Sequence, residues 1–359
     1  MKGKIKKALV SAVPYGIIEK HRSKQKELEA EQNRLQEEQN RLEKEQKRLE
    51  EKRINKERLE KERLEKKNKA QKKKEAKIRN FLMQSASPEW EMFYAEYHEK
   101  EQLEETWILY EYSSGIGMGG NPYAIFKSFE KMPEFADYIH IWAIQGAEEN
   151  RILQDEYRQY RNVIFIHFHS QAYAYFLAKA RYLITNSFFP HIFSKKQNQV
   201  LINTWNSTAV KKLGYDMPNG RKAVKNMIRN MLMADYIISP NEFMSKIIDK
   251  SFRLTGLFEG RYIEEGRPGS DLVRLTNREE IIRKLRVRGT RVDSGKKIIL
   301  YAPVRTKNNA ANFMSDMQKF TGFYSHLTRH ITTDEYQILM RPHKYIYENL
   351  TEEWRKQGC

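Results

Sequence analysis

An α/β fold built on a parallel sheet, preceded by a long charged helix, is predicted by three features of the 359-residue sequence. Charged and aromatic residues are distributed in opposite directions along the chain. A seven-residue repeat occupies the region before Phe81, and apolar runs of strand length alternate with helical stretches after Thr106.

The chain carries 65 Lys+Arg against 47 Asp+Glu, a net charge of +18. Residues 1–80 hold 27 of the basic and 15 of the acidic residues, and Tyr15 is their single aromatic. That stretch cannot build a packed core, whereas the rest has ample apolar material. The lone Cys359 excludes a disulfide framework and a cysteine-based zinc site. No apolar run approaches the ~18–20 residues that span a bilayer. The N-terminus lacks the apolar core and cleavage site of a secretory signal, so a reducing, intracellular setting is expected.

Residues 1–22 read as a basic amphipathic segment. Ile5, Leu9, Ala12 and Val13 recur beside Lys2, Lys4, Lys6 and Lys7, a pattern suited to an anionic membrane surface. A helix docked on its own protein, or a tail, is the alternative. Residues 23–80 read as a charged helix. Leu28, Leu35, Leu42 and Leu49 fill one heptad position, while Gln32, Gln39, Gln46 and Arg53 fill the matching one, which is half a coiled-coil seam. The register fails where Ile54, Leu59 and Leu64 fall five apart. A spacer or a weakly self-associating helix is expected over 23–80. Nucleic acid is not an expected partner, because Lys66–Arg79 carries eight basic residues and one acid with no aromatic for base stacking.

The globular part is read in order. Thr106–Glu111, Tyr138–Ile144, Asn162–Phe168, Tyr182–Thr185, Gln199–Thr204 and Tyr236–Ser239 have strand character. Helices are expected from Pro122 to about Lys131 and over Ser170–Ala180, Arg221–Met233 and Glu242–Phe252. Alternating units of this kind form a parallel sheet covered on both faces. After charged, helical Leu272–Arg291, Lys296–Tyr301 and Tyr336–Met340 open a second set of strands. Domain boundaries are therefore expected at 81–290 and 291–359.

Ligands of such sheets lie at the carboxyl ends of the strands, so residues that follow strands are the candidates. Gly115, Gly117 and Gly120 match G-x-G-x-x-G, with Glu134 or Asp137 as a ribose carboxylate; a loop beside an acceptor site is the competing reading. The segment Asn203–Asp216 offers Trp205, Asn206, Thr208 and Lys211. Ser239, Asn241 and Glu242 follow another strand, although helix capping alone accounts for Ser or Asn there. Arg341-Pro-His343 follows Tyr336–Met340 and suits an anionic, phosphate-bearing ligand. His167 and His169, two apart in an aromatic strand, are expected on one face. They lack a third ligand, so no metal is expected.

Ala180–Ser187, Asn203–Asp216, Ala234–Ser245, Gly266–Asp271 and Lys297–Pro303 together resemble the CDP-glycerol glycerophosphotransferases, the teichoic acid polymerase and primase family. Ser113–Phe126 is similar to the loop and helix that open the family's first domain. The resemblance implies a GT-B-like fold of two Rossmann-like domains, peripheral on the cytoplasmic face of the bacterial cell membrane. It implies transfer of glycerol phosphate from CDP-glycerol to a hydroxyl of a lipid-linked teichoic acid or capsule-like polymer, with release of CMP and no further cofactor. The resemblance implies that the base is the histidine of a Trp-His-Gly-Thr motif and that a second histidine lies in Arg-x-His. His343 matches the second. Asn206 stands at the first, within Trp205-Asn206-Ser207-Thr208. Ser113, Asn121, Trp205, Thr208, Lys211, Ser239, Asn241, Glu242 and Arg341 become the implied substrate contacts. The 64 residues from Lys296 to Cys359 fall short of the roughly 100–200 of a domain, and an Asp-Tyr-Ser-Ser type segment is absent. The second domain is thus expected to be incomplete. A catalytically degraded relative that binds a membrane or partner through residues 1–80 remains the rival, with an oxidoreductase using Gly115–Gly120 behind it.

Overall fold

The computed structural model describes residues 15–206, 208–210, 212–218, 224–303, 313–332 and 334–341. Most of the basic amphipathic segment, with Ser207, Lys211 and His343, lies outside them. The chain divides into two units, Met1–Phe81 and Leu82–Cys359.

The first unit is essentially one helix, α1 (Tyr15–Leu82, 68 residues), roughly 100 Å long at 1.5 Å per residue. It runs without a break through residues 22 and 23. After Gly16 it contains neither Gly nor Pro, and Glu, Lys, Arg, Gln and Leu are all strong helix formers. Ion pairs one turn apart add to this, with Arg53 at 3.0 Å from Glu50 and 3.6 Å from Glu57. Each such pair contributes about 0.2–0.5 kcal/mol. The helix carries no buried residue from Arg22 to Asn80.

The second unit is α/β, as expected. Its main sheet has seven strands in the order β3-β2-β1-β4-β5-β6-β7, with every pairing parallel. They are β1 (Glu104–Glu111), β2 (Ile139–Ile144), β3 (Val163–His167), β4 (Ala180–Thr185), β5 (Val200–Asn203), β6 (Tyr236–Ile238) and β7 (Arg261–Ile263). Side chains alternate across the sheet. Ile108 and Tyr110 face one layer with Phe126, Trp142 and Leu153. On the opposite face, Glu111 meets Tyr173. Covered on both sides, β1 becomes a continuous apolar run.

The helices are α2 (Trp90–Lys100), α3 (Gly120–Phe129), α4 (Ala147–Glu156), α5 (Gln171–Lys179), α6 (Lys225–Met233), α7 (Glu242–Phe252), α8 (Leu272–Leu275), α9 (Arg278–Val287) and α10 (Phe313–His330). Tyr110 stacks on Trp142 at 4.7 Å, and Phe126 meets the indole edge-on at 5.8 Å. His140 is buried beside them with its Nδ1 2.9 Å from the Tyr110 hydroxyl, and burial pushes its pKa down to about 4.

Several expectations change. α2, α4, α10 and β7 are additional elements; β7 has only three residues, too few to show periodicity. The continuous helix expected over Leu272–Arg291 is two, because Thr276 is extended. Asn277 then caps the second by accepting the Glu280 N–H at 2.7 Å. α3 starts at Gly120, two residues before the expected Pro122.

β8 (Lys297–Tyr301) and β9 (Tyr336–Met340) pair in parallel as a second sheet, with Phe320 of α10 against Met340. α9 joins the two sheets. Its Ile282 packs with Val292 and Leu339, while Lys284 donates to Tyr123 (2.8 Å) and lies 3.3 Å from Glu156. Burial opposes the Lys284 charge, but these partners outweigh it and raise the pKa to about 12.

Candidate functional site

The strand order reverses direction between β1 and β4, and the crevice above that point is where such sheets take ligands. The residues following both strands are tied together there. The Ser113 N–H donates to Asn186 Oδ1 at 2.7 Å, and the Ser114 and Ser187 hydroxyls lie 3.1 Å apart. Ser113, Ser114 and Gly115 all have left-handed φ (46°, 58° and 87°). For the two serines this costs of order 1–3 kcal/mol each and persists where the surroundings impose it.

Two of the three motif glycines have a packing explanation. A Cβ on Gly115 would lie 3.1 Å from Phe168, and one on Gly120 would lie 2.8 Å from the Tyr112 ring, which neighbouring Gly119 also meets closely. The Gln145 N–H donates to Gly115 O at 2.6 Å, which ties the loop to the end of β2. Glu134 and Asp137 precede β2, at the amino edge of the sheet. They are therefore at the wrong edge for a ribose at the crevice, and the dinucleotide reading fails on geometry.

Beyond β5, Asn203 Oδ1 accepts the Trp205 N–H at 2.9 Å, and Trp205 turns left-handed (φ 48°). Its indole is buried edge-on to Phe252 at 5.9 Å, so it shapes the wall from behind. The turn puts Asn206 at the surface. Its Nδ2 donates to Asn186 O at 3.3 Å, and its own carbonyl accepts from Arg267 Nη2 at 3.4 Å.

Asn121 holds this wall in place. Its Nδ2 donates to Thr204 O (2.8 Å) and Trp205 O (3.0 Å), while its Oδ1 accepts the Gly269 N–H at 2.9 Å. Both donors and one acceptor direction are spent on protein. The expected ligand contact is therefore a brace. A small pocket is lined by Asn121, Trp205, Asn206, Pro240, Gly266 and Arg267.

On the β6 side, Ser239 is buried and donates to Asn241 O at 3.0 Å. Asn241 caps α7 by accepting the Met244 N–H at 3.0 Å. Glu242 is exposed and pairs with Lys246 at 2.8 Å, and that hydrogen bond holds its carboxyl below the usual range. These three serve the start of α7. Thr208 is exposed on the loop after Asn206. Arg341 follows β9, exposed, with its N–H donating to Tyr301 O at 2.9 Å.

Behind the crevice, Glu111, Thr185 and Asn203 are register partners across β1, β4 and β5, and all three are buried. Burial pushes the Glu111 pKa up to about 8, against a hydrogen bond from the Tyr173 hydroxyl at 3.1 Å. Its second carboxyl oxygen has no hydrogen-bond partner among the described residues. His167 ends β3, so His169 does not continue the strand alternation. It turns left-handed (φ 58°) and stacks on Trp90 at 4.4 Å. Among the described residues no group of three or more His, Cys, Asp or Glu is placed to hold a metal.

A wider pocket at the amino edge, near Lys195, Asp235 and Arg261, contains the Lys195–Asp235 pair at 2.7 Å. It lies at the opposite end of the sheet from the crevice. Sequence reasoning missed Asn186 and Arg267. Asn186 was open to the strand-end rule; Arg267 follows the unrecognised β7.

Comparison with known proteins adds to this geometry. A family model described as CDP-Glycerol:Poly(glycerophosphate) glycerophosphotransferase matches residues 92–358. A teichoic acid poly(glycerol phosphate) polymerase of Bacillus spizizenii is 29% identical over 260 residues, which is 68% of this chain and 61% of that protein. A teichoic acid glycerol-phosphate transferase of Staphylococcus aureus is 25% identical over 253 residues, with the same coverage of 68% and 61%. The chain thus spans about three-fifths of the length of these relatives. A solved wall teichoic acid polymerase, TagF, superimposes with a TM-score of 0.54 at 24% identity, covering 75% of this chain and 64% of that one. That likeness supports the GT-B-like α/β fold.

Proposed function

Because the chain belongs to the CDP-glycerol:poly(glycerophosphate) glycerophosphotransferase family, we propose that it transfers glycerol phosphate from CDP-glycerol to a hydroxyl of a lipid-linked teichoic acid or capsule-like polymer, releasing CMP. The acceptor hydroxyl attacks the β-phosphorus in line, the P–O bond to CMP breaks with its electron pair leaving on CMP, and the hydroxyl proton passes to solvent water. The observation that carries this reading is the crevice of Asn186, Asn206 and Arg267 above the β1/β4 reversal. Asn206 offers an amide that can orient a hydroxyl but cannot take its proton. Arg267 supplies a cation for phosphoryl oxygens, and Arg341, after β9, supplies another; His343 completes the Arg-x-His motif in the sequence. The reaction takes place at the cytoplasmic face of the membrane, with residues 1–22 on its anionic surface.

Asn206 also favours a second reading, in which the chain binds a membrane or partner without turnover. Radiolabelled CDP-glycerol and a lipid-linked acceptor distinguish the two. Slow incorporation is expected from the native chain, rising by roughly 10²–10⁴-fold in Asn206→His, the range typical of a positioned general base. Absence of both polymer label and CMP release in native and variant protein would overturn the transferase reading.

A further inference from the structure

The leucine stripe of α1 is unpartnered among the described residues, and its flanks say what can cover it. Leu28, Leu35, Leu42 and Leu49 lie on one face, each about half exposed. With leucine at d and Gln25, Gln32, Gln39 and Gln46 at a, the e positions are Glu29, Gln36, Glu43 and Glu50. The g positions are Glu31, Glu38 and Glu45, bounded by Lys24 and Lys52. These e and g residues border the seam of a coiled coil and set which partner it accepts.

A second copy of this chain is a poor occupant. In a parallel pair, g faces e of the next heptad, so Glu38 meets Glu43 and Glu45 meets Glu50 on both sides, with attraction only at the two ends of the stripe, Lys24 with Glu29 and Lys52 with Glu57. In an antiparallel pair g faces g and e faces e, so Glu31, Glu38 and Glu45 oppose one another. Sliding the seam onto residues 52–79 brings opposite charge but no stripe, since Ile54, Leu59 and Leu64 are five residues apart and point in different directions around a 3.6-residue helix.

We infer that Leu28–Leu49 of α1 is a docking face for a helix of a different protein, one with leucine or isoleucine on its seam and Lys or Arg on both flanks. Each cross-pair would then place a cation against Glu29, Glu31, Glu38, Glu43, Glu45 or Glu50, while glutamines at a match polar a residues of the partner and fix the register.

The net charge of +18 makes the test sharp, because non-specific attraction would favour an acidic peptide. Two labelled four-heptad peptides, with leucine at d and asparagine at one a position, differ only in Lys or Glu at e and g. Their binding to the full chain is measured by fluorescence anisotropy. The Lys peptide is expected to bind at least about tenfold more tightly, equivalent to about 1.4 kcal/mol, with the gap shrinking as salt rises. Leu35→Ala with Leu42→Ala should abolish binding, and Glu38→Lys, Glu43→Lys and Glu45→Lys together should invert the preference. Sedimentation of the native chain at the same concentration should show a monomer. Equal binding of both peptides, binding that survives loss of the leucines, or a stable homodimer at neutral pH would each overturn the inference. None of these residues is among those that form the crevice, so the outcome is read independently of transferase activity.

Discussion

Helix α1 and strand β1 both carry evenly spaced apolar residues, and the folded chain treats them oppositely. Leu28, Leu35, Leu42 and Leu49 remain 50–60% exposed, whereas Ile108, Leu109 and Tyr110 are at most 1% exposed. α1 is held by backbone propensity and short-range ion pairs, each worth a few tenths of a kcal/mol. β1 is held by neighbours drawn from β2, β4, α3 and α5. One element is therefore robust to almost any single side chain, and the other depends on a few.

The largest expected effect breaks the comparison most directly. Trp142→Ala removes the ring stacked on Tyr110 and edge-on to Phe126, and urea unfolding should show a loss of about 3–5 kcal/mol. Leu42→Ala, in α1, should change the same measurement by no more than about 0.5 kcal/mol. Similar losses in both would mean that the two regions are not stabilised differently.

A second effect tests whether burial acts electrostatically as well as by packing. Glu111 has a folded pKa of about 8 against an ordinary 4.5, so the folded state keeps its proton where the unfolded chain loses it. The contribution is fully present below about 4.5, declines as pH rises, and is lost through about 8. Glu111→Gln should remove this decline, raising stability at pH 8 relative to pH 5 by of order a few kcal/mol compared with the native chain. An unchanged pH profile would place the charge elsewhere.

A smaller effect sharpens the comparison at the crevice. Asn121→Ala takes away three hydrogen bonds and leaves the Gly269 N–H without its partner. The expected cost is about 1–3 kcal/mol. Hydrogen exchange should quicken at Gly269, and it should stay unchanged throughout α1. Protection at Gly269 equal to the native chain would mean that Asn121 is not the brace.

Much of the fold was legible because it is local or periodic. Thr106–Glu111 reads as a buried strand since both faces are covered, and the helix before Phe81 reads from composition. β7 escaped, being three residues held mainly by pairing with β6. Leu272–Arg291 read as one helix because the break at Thr276 leaves no proline or glycine. The crevice was partly legible through the strand-end rule, which reached Ser113, Trp205, Asn206 and Ser239. It could not tell that Asn121 is spent on protein or that Asn241 and Glu242 serve α7. Side-chain engagement depends on residues far along the chain, as in the Asn121–Gly269 bond across 148 positions.

The sequence by itself determined the charged helix, the alternating α/β order, the family resemblance and the asparagine where a histidine base is expected. These follow from composition, periodicity and motif, which are properties of neighbours along the chain. Only the tertiary structure decided the strand order, the reversal between β1 and β4, the packing role of Gly115 and Gly120, and the meeting of Asn186, Asn206 and Arg267. Those depend on which distant segments share a surface, and that choice is made by burying apolar faces together while every enclosed polar group seeks a partner.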